Sequence, residues 1–286
     1  MNYATLISGE ELQSLIANDV PLMVFDCSFE LLKPTAGDQQ FAESHIPGAV
    51  RANLDLHLSA HNGADAASGG RHPLPTREHF AAWLGSVGFS NKMQAVVYDR
   101  QGANYCGRLW WMLKWAGHEN AALLDGGLEA WHEAGGVVTS GPPTKHKATK
   151  FTLLPERAVL ATAADVLKNL GRPRQTLVDA RATARFRGDI EPLDPVAGHI
   201  PGALNRPFVQ NMGANGKFKS PTELRNEFTT LLAGRDPASV VHHCGSGVSA
   251  IPNIIAMELA GMGRSALYAG SWSDWSSDSA RPFAKS

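Results

Sequence analysis

The pentapeptide His-Ile-Pro-Gly-Ala occurs at His45–Ala49 and again at His199–Ala203, 154 residues further on. Working outward, VFDCS at Val24–Ser28 answers LVDAR at Leu177–Arg181. Downstream, VVYDR at Val96–Arg100 answers VVHHC at Val240–Cys244, and LLDGGLEAW at Leu123–Trp131 answers LYAGSWSDW at Leu267–Trp275, both pairs 144 residues apart. One short match can arise by chance, but several in the same order mark a duplication. The fall from 154 to 144 puts about ten extra residues in the first copy, between HIPGA and VV.

Each copy has the size of a domain. The Gly-Pro-Pro and basic residues within Val137–Pro155 have the composition of a linker. The expected organisation is an N-terminal, non-catalytic domain over 1–138, a linker over 139–158 and a C-terminal, catalytic domain over 159–286. Short buried strands are expected at Leu22–Phe25 and Thr176–Val178, each followed by a carboxylate, Asp26 or Asp179. A second strand type falls at Ala95–Tyr98 and Ser239–His242, and a third at Leu123–Leu124 and Ala266–Tyr268. Between them, Tyr105–Ala116 and Val248–Ala260 read as helices, stopped by Gly117 and Gly261. Alternating strands and helices predict an α/β fold, each copy a parallel sheet with helices on both faces. Ligands in such folds bind where strand ends lead into helices.

Composition narrows the function. Of 286 residues, 43% are hydrophobic and 19% charged, which suits a folded core and not a disordered chain. Lys+Arg 26 against Asp+Glu 27 argues against a general nucleic-acid or membrane binder. Cys27, Cys106 and Cys244 are too scattered for a disulfide framework and lack the CxxC spacing of a structural zinc site. No signal or transit pattern opens the chain, so a cytoplasmic location is expected.

Cys244 is the informative thiol. In His-His-Cys-Gly-Ser-Gly-Val-Ser-Ala it stands at a strand-to-helix turn. Gly245 and Gly247 permit a tight loop with inward N–H groups, and a helix from Val248 adds its positive end, so the loop suits an anion such as a thiolate. The tandem copies, paired HIPGA motifs and CGSGVSA loop resemble the rhodanese family of sulfurtransferases over nearly the whole chain. The resemblance implies two rhodanese-like domains, and the loop is similar to that of the members acting on 3-mercaptopyruvate. Members acting on thiosulfate carry Arg-Lys at the positions of Gly245-Ser246. Family members with phosphatase activity need an arginine at the position of Ala250, so that activity is not expected here. A cysteine-protease pairing of Cys244 with His243 also fails, because a catalytic pair normally comes from separate segments.

The resemblance further implies a nucleophile, Cys244, aided by Ser246, with Gly245, Gly247, Val248 and Ser249 forming the anion loop. It makes Arg185, in RATARFRG, the substrate arginine. A second arginine common in the mercaptopyruvate enzymes is replaced by Leu193, and Arg187 is the candidate to compensate. SGGRHPLP brings Arg71 and His72 to the pocket rim, and Asp55 matches an aspartate some members keep near the cleft. Cys27, Cys106, His45, His199 and the tryptophans are expected to pack. On the 144-residue offset, Arg100 stands where the second copy has Cys244.

The expected reaction moves sulfur from 3-mercaptopyruvate through a Cys244 persulfide to cyanide or a thiol, such as a dithiol protein, releasing pyruvate, without metal or organic cofactor. Two alternatives stay open: a thiosulfate:cyanide sulfurtransferase, and a non-enzymatic persulfide carrier loaded by a dedicated partner.

Overall fold

The computed structural model describes residues 2–286. The chain divides into two compact units. The first comprises residues through Ala66 together with Pro75–Arg157 and Ala214–Lys217; the second comprises Ala67–Leu74, Ala158–Gly213 and Phe218–Ser286.

In the first unit five parallel strands, β1 (Leu6–Ile7), β2 (Leu22–Asp26), β3 (Val50–Arg51), β4 (Gln94–Tyr98) and β5 (Ala121–Leu124), line up as β1-β5-β4-β2-β3. The helices are α1 (Gly9–Ala17), α2 (Ala36–Glu43), α3 (Arg77–Ser86), α4 (Cys106–Trp115) and α5 (Gly127–Glu133). In the second unit β6 (Leu160–Ala161), β7 (Thr176–Asp179), β8 (Leu204–Asn205), β9 (Val240–His243) and β10 (Ala266–Tyr268) repeat that order as β6-β10-β9-β7-β8. The matching helices are α6 (Ala163–Lys168), α7 (Thr183–Arg187), α8 (Pro221–Leu232), α9 (Ile251–Leu259) and α10 (Ser271–Trp275). Identical strand order in both units is the duplication in three dimensions.

Local chemistry fixes the equivalent elements. α1 opens on a capping box between Ser8 and Glu11, and α6 on the same device between Thr162 and Asp165. β4 is buried at every residue, as a central parallel strand must be, and α4 behind it is buried throughout. That burial turns the apolar, tryptophan-rich helix into core. Of its two cations, Arg108 donates to the Leu58 carbonyl at 3.3 Å, and Lys114 is neutralised by Glu119 and lies 5.4 Å from the Trp110 ring centre.

The repeated motifs are anchors. Each HIPGA histidine stacks on a phenylalanine, His45 on Phe41 and His199 on Phe186, with ring centres 3.8 and 3.9 Å apart. Each places Nδ1 against the carbonyl of that phenylalanine, at 2.7 and 2.8 Å. Trp131 and Trp275 are both buried, and each indole N–H donates at 2.8 Å to a carbonyl just ahead, that of Val137 or Pro282.

The sheet register corrects two sequence expectations. Asp26 pairs with Tyr98, and the equivalent Asp179 pairs with His243. The residue after each strand is therefore Asp99 in one unit and Cys244 in the other, so Asp99, not Arg100, occupies the place of the thiol. Arg100 corresponds to Gly245, and Gly102 to Gly247, with φ of 67° and 73°. The second correction concerns α9, which begins at Ile251 and not at Val248. Pro252 sits in its first turn, where a missing N–H costs nothing, and residues 245–250 form the loop ahead of it.

Candidate active site

Cys244 directly follows β9 and is 2% exposed. Its loop is tied at the backbone to the start of α10. The Cys244 N–H donates to Ser271 Oγ at 3.0 Å, Trp272 N–H to the Cys244 carbonyl at 3.0 Å, and Ser273 N–H to the Gly245 carbonyl at 2.9 Å. Ser271 has φ of 55°, a conformation non-glycine residues rarely take, and its hydroxyl donates to the Tyr268 carbonyl at 2.9 Å. Gly247 admits no replacement, since a Cβ there would lie 2.2 Å from the Ala269 carbonyl oxygen and φ is positive. The N–H groups of Ser246, Val248 and Ala250 have no acceptor among the described residues. Val248 is buried and Ser249 half-buried.

The segment Ala67–Leu74, sequence from the first repeat, belongs to this unit and brings two expected residues to the loop. His72, 6% exposed, has Nδ1 2.7 Å from Ser246 Oγ. Arg71 donates its backbone N–H to Ser273 Oγ at 2.9 Å and its Nη1 to Asp194 at 2.8 Å. Arg185 reaches the same place from α7. A Cβ on Gly245 would meet Arg71 Nη2 at 3.3 Å and Arg185 Nη1 at 3.4 Å. Two guanidinium groups thus flank the residue after the thiol, and Gly245 is what leaves room between them. The second guanidinium beside Gly245 is that of Arg71, from the other repeat. Arg187 is exposed, and Leu193 has only its carbonyl near Arg71, 3.5 Å from Nη1.

Behind the arginines lies an ionic cluster that the sequence reading missed. Glu191 and Asp194, each 3% exposed at the side chain, hold Arg185 at 2.6 and 3.0 Å. Glu191 also pairs with Arg181 at 3.3 Å, and Arg181 grips Asp179 at 2.7 Å. Burial alone would raise the Asp179 carboxyl, but His243, 3.9 Å away, and Arg181 outweigh it and hold the group below its usual range. Burial pushes the His243 ring down, and His242 down to about 3, which favours the neutral form of both rings.

Asp55 lies in the first unit, where its N–H donates to Asn53 Oδ1 at 2.9 Å and burial raises its carboxyl above the usual range. Cys27 and Cys106 are buried in that unit as well. Burial, and after it Asp26 and Asp99 for Cys27 and Asp99 for Cys106, push both thiols far up, which keeps them protonated. Among the described residues no cluster of three or more His, Cys, Asp or Glu could hold a metal ion, and no helix is long and apolar enough to cross a membrane.

The model of the rhodanese-like domain matches the chain twice, over residues 8–134 and 162–278. The chain belongs to the rhodanese-like family of sulfurtransferases. Among its rhodanese-like relatives is a probable 3-mercaptopyruvate sulfurtransferase of Pseudomonas aeruginosa, 42% identical over 285 residues that cover 99% of both chains. A putative thiosulfate sulfurtransferase of Mycobacterium tuberculosis is 38% identical over 97% of this chain and 95% of its own. The solved structure of 3-mercaptopyruvate sulfurtransferase from Leishmania major superposes with a TM-score of 0.81 at 30% identity, covering 96% of this chain and 74% of that one.

Proposed function

We propose that this protein is a 3-mercaptopyruvate sulfurtransferase working through a persulfide on Cys244. The observation that carries the reading is the uncharged Gly245-Ser246 pair beside the thiol, flanked by two guanidinium groups. A monoanionic keto acid has its charge at the end away from the sulfur. It needs cations a short distance from the nucleophile and none in the loop itself.

The thiolate of Cys244 attacks the donor's thiol sulfur. An S–S bond forms as the carbon–sulfur bond breaks, and that bonding pair passes to carbon. Cys244 becomes a persulfide, Cys–S–SH, and pyruvate departs as its enolate. Arg185 and Arg71 hold the carboxylate and align the sulfur with Cys244. Ser246 donates to the ketone oxygen as negative charge grows there, His72 Nδ1, 2.7 Å from Ser246 Oγ, orients that hydroxyl, and a proton from water completes pyruvate. The loop N–H groups stabilise charge on the sulfur pair. A thiol, such as that of a dithiol protein, or cyanide then attacks the outer sulfur, and Cys244 leaves as thiolate.

Thiosulfate is the second reading, because two guanidinium groups also suit a sulfonate. Intact-mass measurement after mixing with each donor tests both. The expected result is one added sulfur, mapped to Cys244, fast from mercaptopyruvate and slow from thiosulfate. A sulfur that appears only with thiosulfate, or that still appears in Cys244→Ser, overturns the proposal. Slow loading from both donors favours the carrier role.

A further inference from the structure

The arginines that would receive either donor are already paired. Asp194 accepts from Arg71 Nη1 at 2.8 Å through one carboxylate oxygen and from Arg185 Nη2 at 3.0 Å through the other. Among the described residues it is the one carboxylate that touches both arginines flanking Gly245. Glu191 reaches Arg185 and Arg181 but not Arg71, and Arg181 is closed on Asp179. Three guanidinium groups thus face three carboxylates, and the cluster is close to neutral.

We infer that Asp194 is a specificity-determining residue that sets the charge of the sulfur donor. It cancels part of the field of Arg71 and Arg185, so that a donor with one negative charge is held and a donor with two gains little over it. The inference rests on the proposed binding of an anionic donor beside Cys244. Its physical basis is the low dielectric of a buried site. The effect of one protein charge on binding scales with the charge of the ligand. Asp194 is itself 3% exposed at the side chain, so water and salt screen it weakly. Leu193 adds no charge next to it, which leaves Arg71 and Arg185 as the cations that Asp194 governs.

Asp194→Asn keeps the shape and one acceptor oxygen while removing the charge. The measurement is the rate of Cys244 persulfide formation per donor concentration, for thiosulfate and mercaptopyruvate, at two salt concentrations. In Asp194→Asn the thiosulfate-to-mercaptopyruvate ratio should rise about ten-fold, with a steeper salt dependence for thiosulfate. Arg71→Met changes the local charge in the opposite sense and should lower the same ratio. A structural lesion would slow both donors alike and would not separate them by charge. Ratios that stay fixed in both variants, or that move in the same direction, overturn the inference. If Asp194→Asn does not fold, the direction of the Arg71→Met ratio decides alone. Failure of the wild-type protein to take sulfur from mercaptopyruvate sinks the proposed donor instead, which keeps the two failures apart.

Discussion

At the end of β4 the chain places Asp99, and at the end of β9 it places Cys244. Around Asp99 the loop folds so that one carboxylate oxygen accepts the N–H groups of Gln101 and Ala103, at 2.9 and 3.0 Å, and the other those of Tyr105 and Cys106, both at 2.8 Å. The first loop is an anion cradle filled by its own side chain. In the second loop the N–H groups of Ser246, Val248 and Ala250, equivalent to three of those four, have no protein acceptor among the described residues. A second exchange accompanies the first. In the first unit the cation on the strand-end carboxylate comes from the loop, Arg100 to Asp26 at 2.9 Å. In the second unit it comes from the strand side, Arg181 to Asp179, and this frees the loop position to be Gly245. Moving one arginine is what clears the space beside the thiol. One backbone design thus stabilises a fixed carboxylate in one copy and leaves its loop N–H groups open beside a thiol in the other.

The hardest test of that comparison converts one loop into the other. Cys244→Asp should abolish sulfur transfer, by about a thousand-fold or more, as loss of the nucleophile requires. It should also unfold at a higher temperature than Cys244→Ser, because its carboxylate can fill its own cradle. A midpoint below that of the serine variant would show that the two loops are not equivalent. The reverse change is smaller. Asp99→Ala strands four backbone donors and should cost about 3 kcal/mol in urea unfolding while sulfur loading of Cys244 continues. A cost near zero would mean that the carboxylate is not what organises the first loop.

The smallest effect is a pH dependence shared by both units. Burial holds His57 and His118 there down at about 4, and His242 in the second unit at about 3. Folded values below the ordinary 6.5 mean that these rings must be neutral in the native state. Their contribution is complete above that pH and drains away as pH falls toward 4, with protons taken up on unfolding. The thermal midpoint should fall over this range, and His118→Gln should flatten the fall. A midpoint independent of pH between 7 and roughly 4 would contradict neutral buried rings.

Much of this was legible in the chain because it is local or repeated. Strand periods, glycine stops and the HIPGA pairs are short-range signals, and the duplication let each copy check the other. Cys244 stood out through its glycines. The one-residue error that set Arg100 against Cys244 arose because a constant offset cannot see where a loop gains a residue, whereas hydrogen-bonded register can. The contact of His72 with Ser246 spans 174 residues, and no local pattern encodes it. Asp194 and Glu191 were visible only as acidic residues near Arg185, in the segment where a second arginine was sought. Their role depends on which cations they touch. Ser271 gave no signal, since a serine with positive φ is a backbone outcome.

The eight residues Ala67–Leu74 belong to the second unit although their sequence lies inside the first repeat. A duplicated gene ordinarily keeps the freedom to shed either half. Here the half carrying Cys244, cut out alone, would lose Arg71 and His72, which the second unit holds beside its loop. The partition of this one short segment means that the boundary between the folded units does not follow the boundary between the repeats, so neither repeat excised at its sequence limits carries a whole unit.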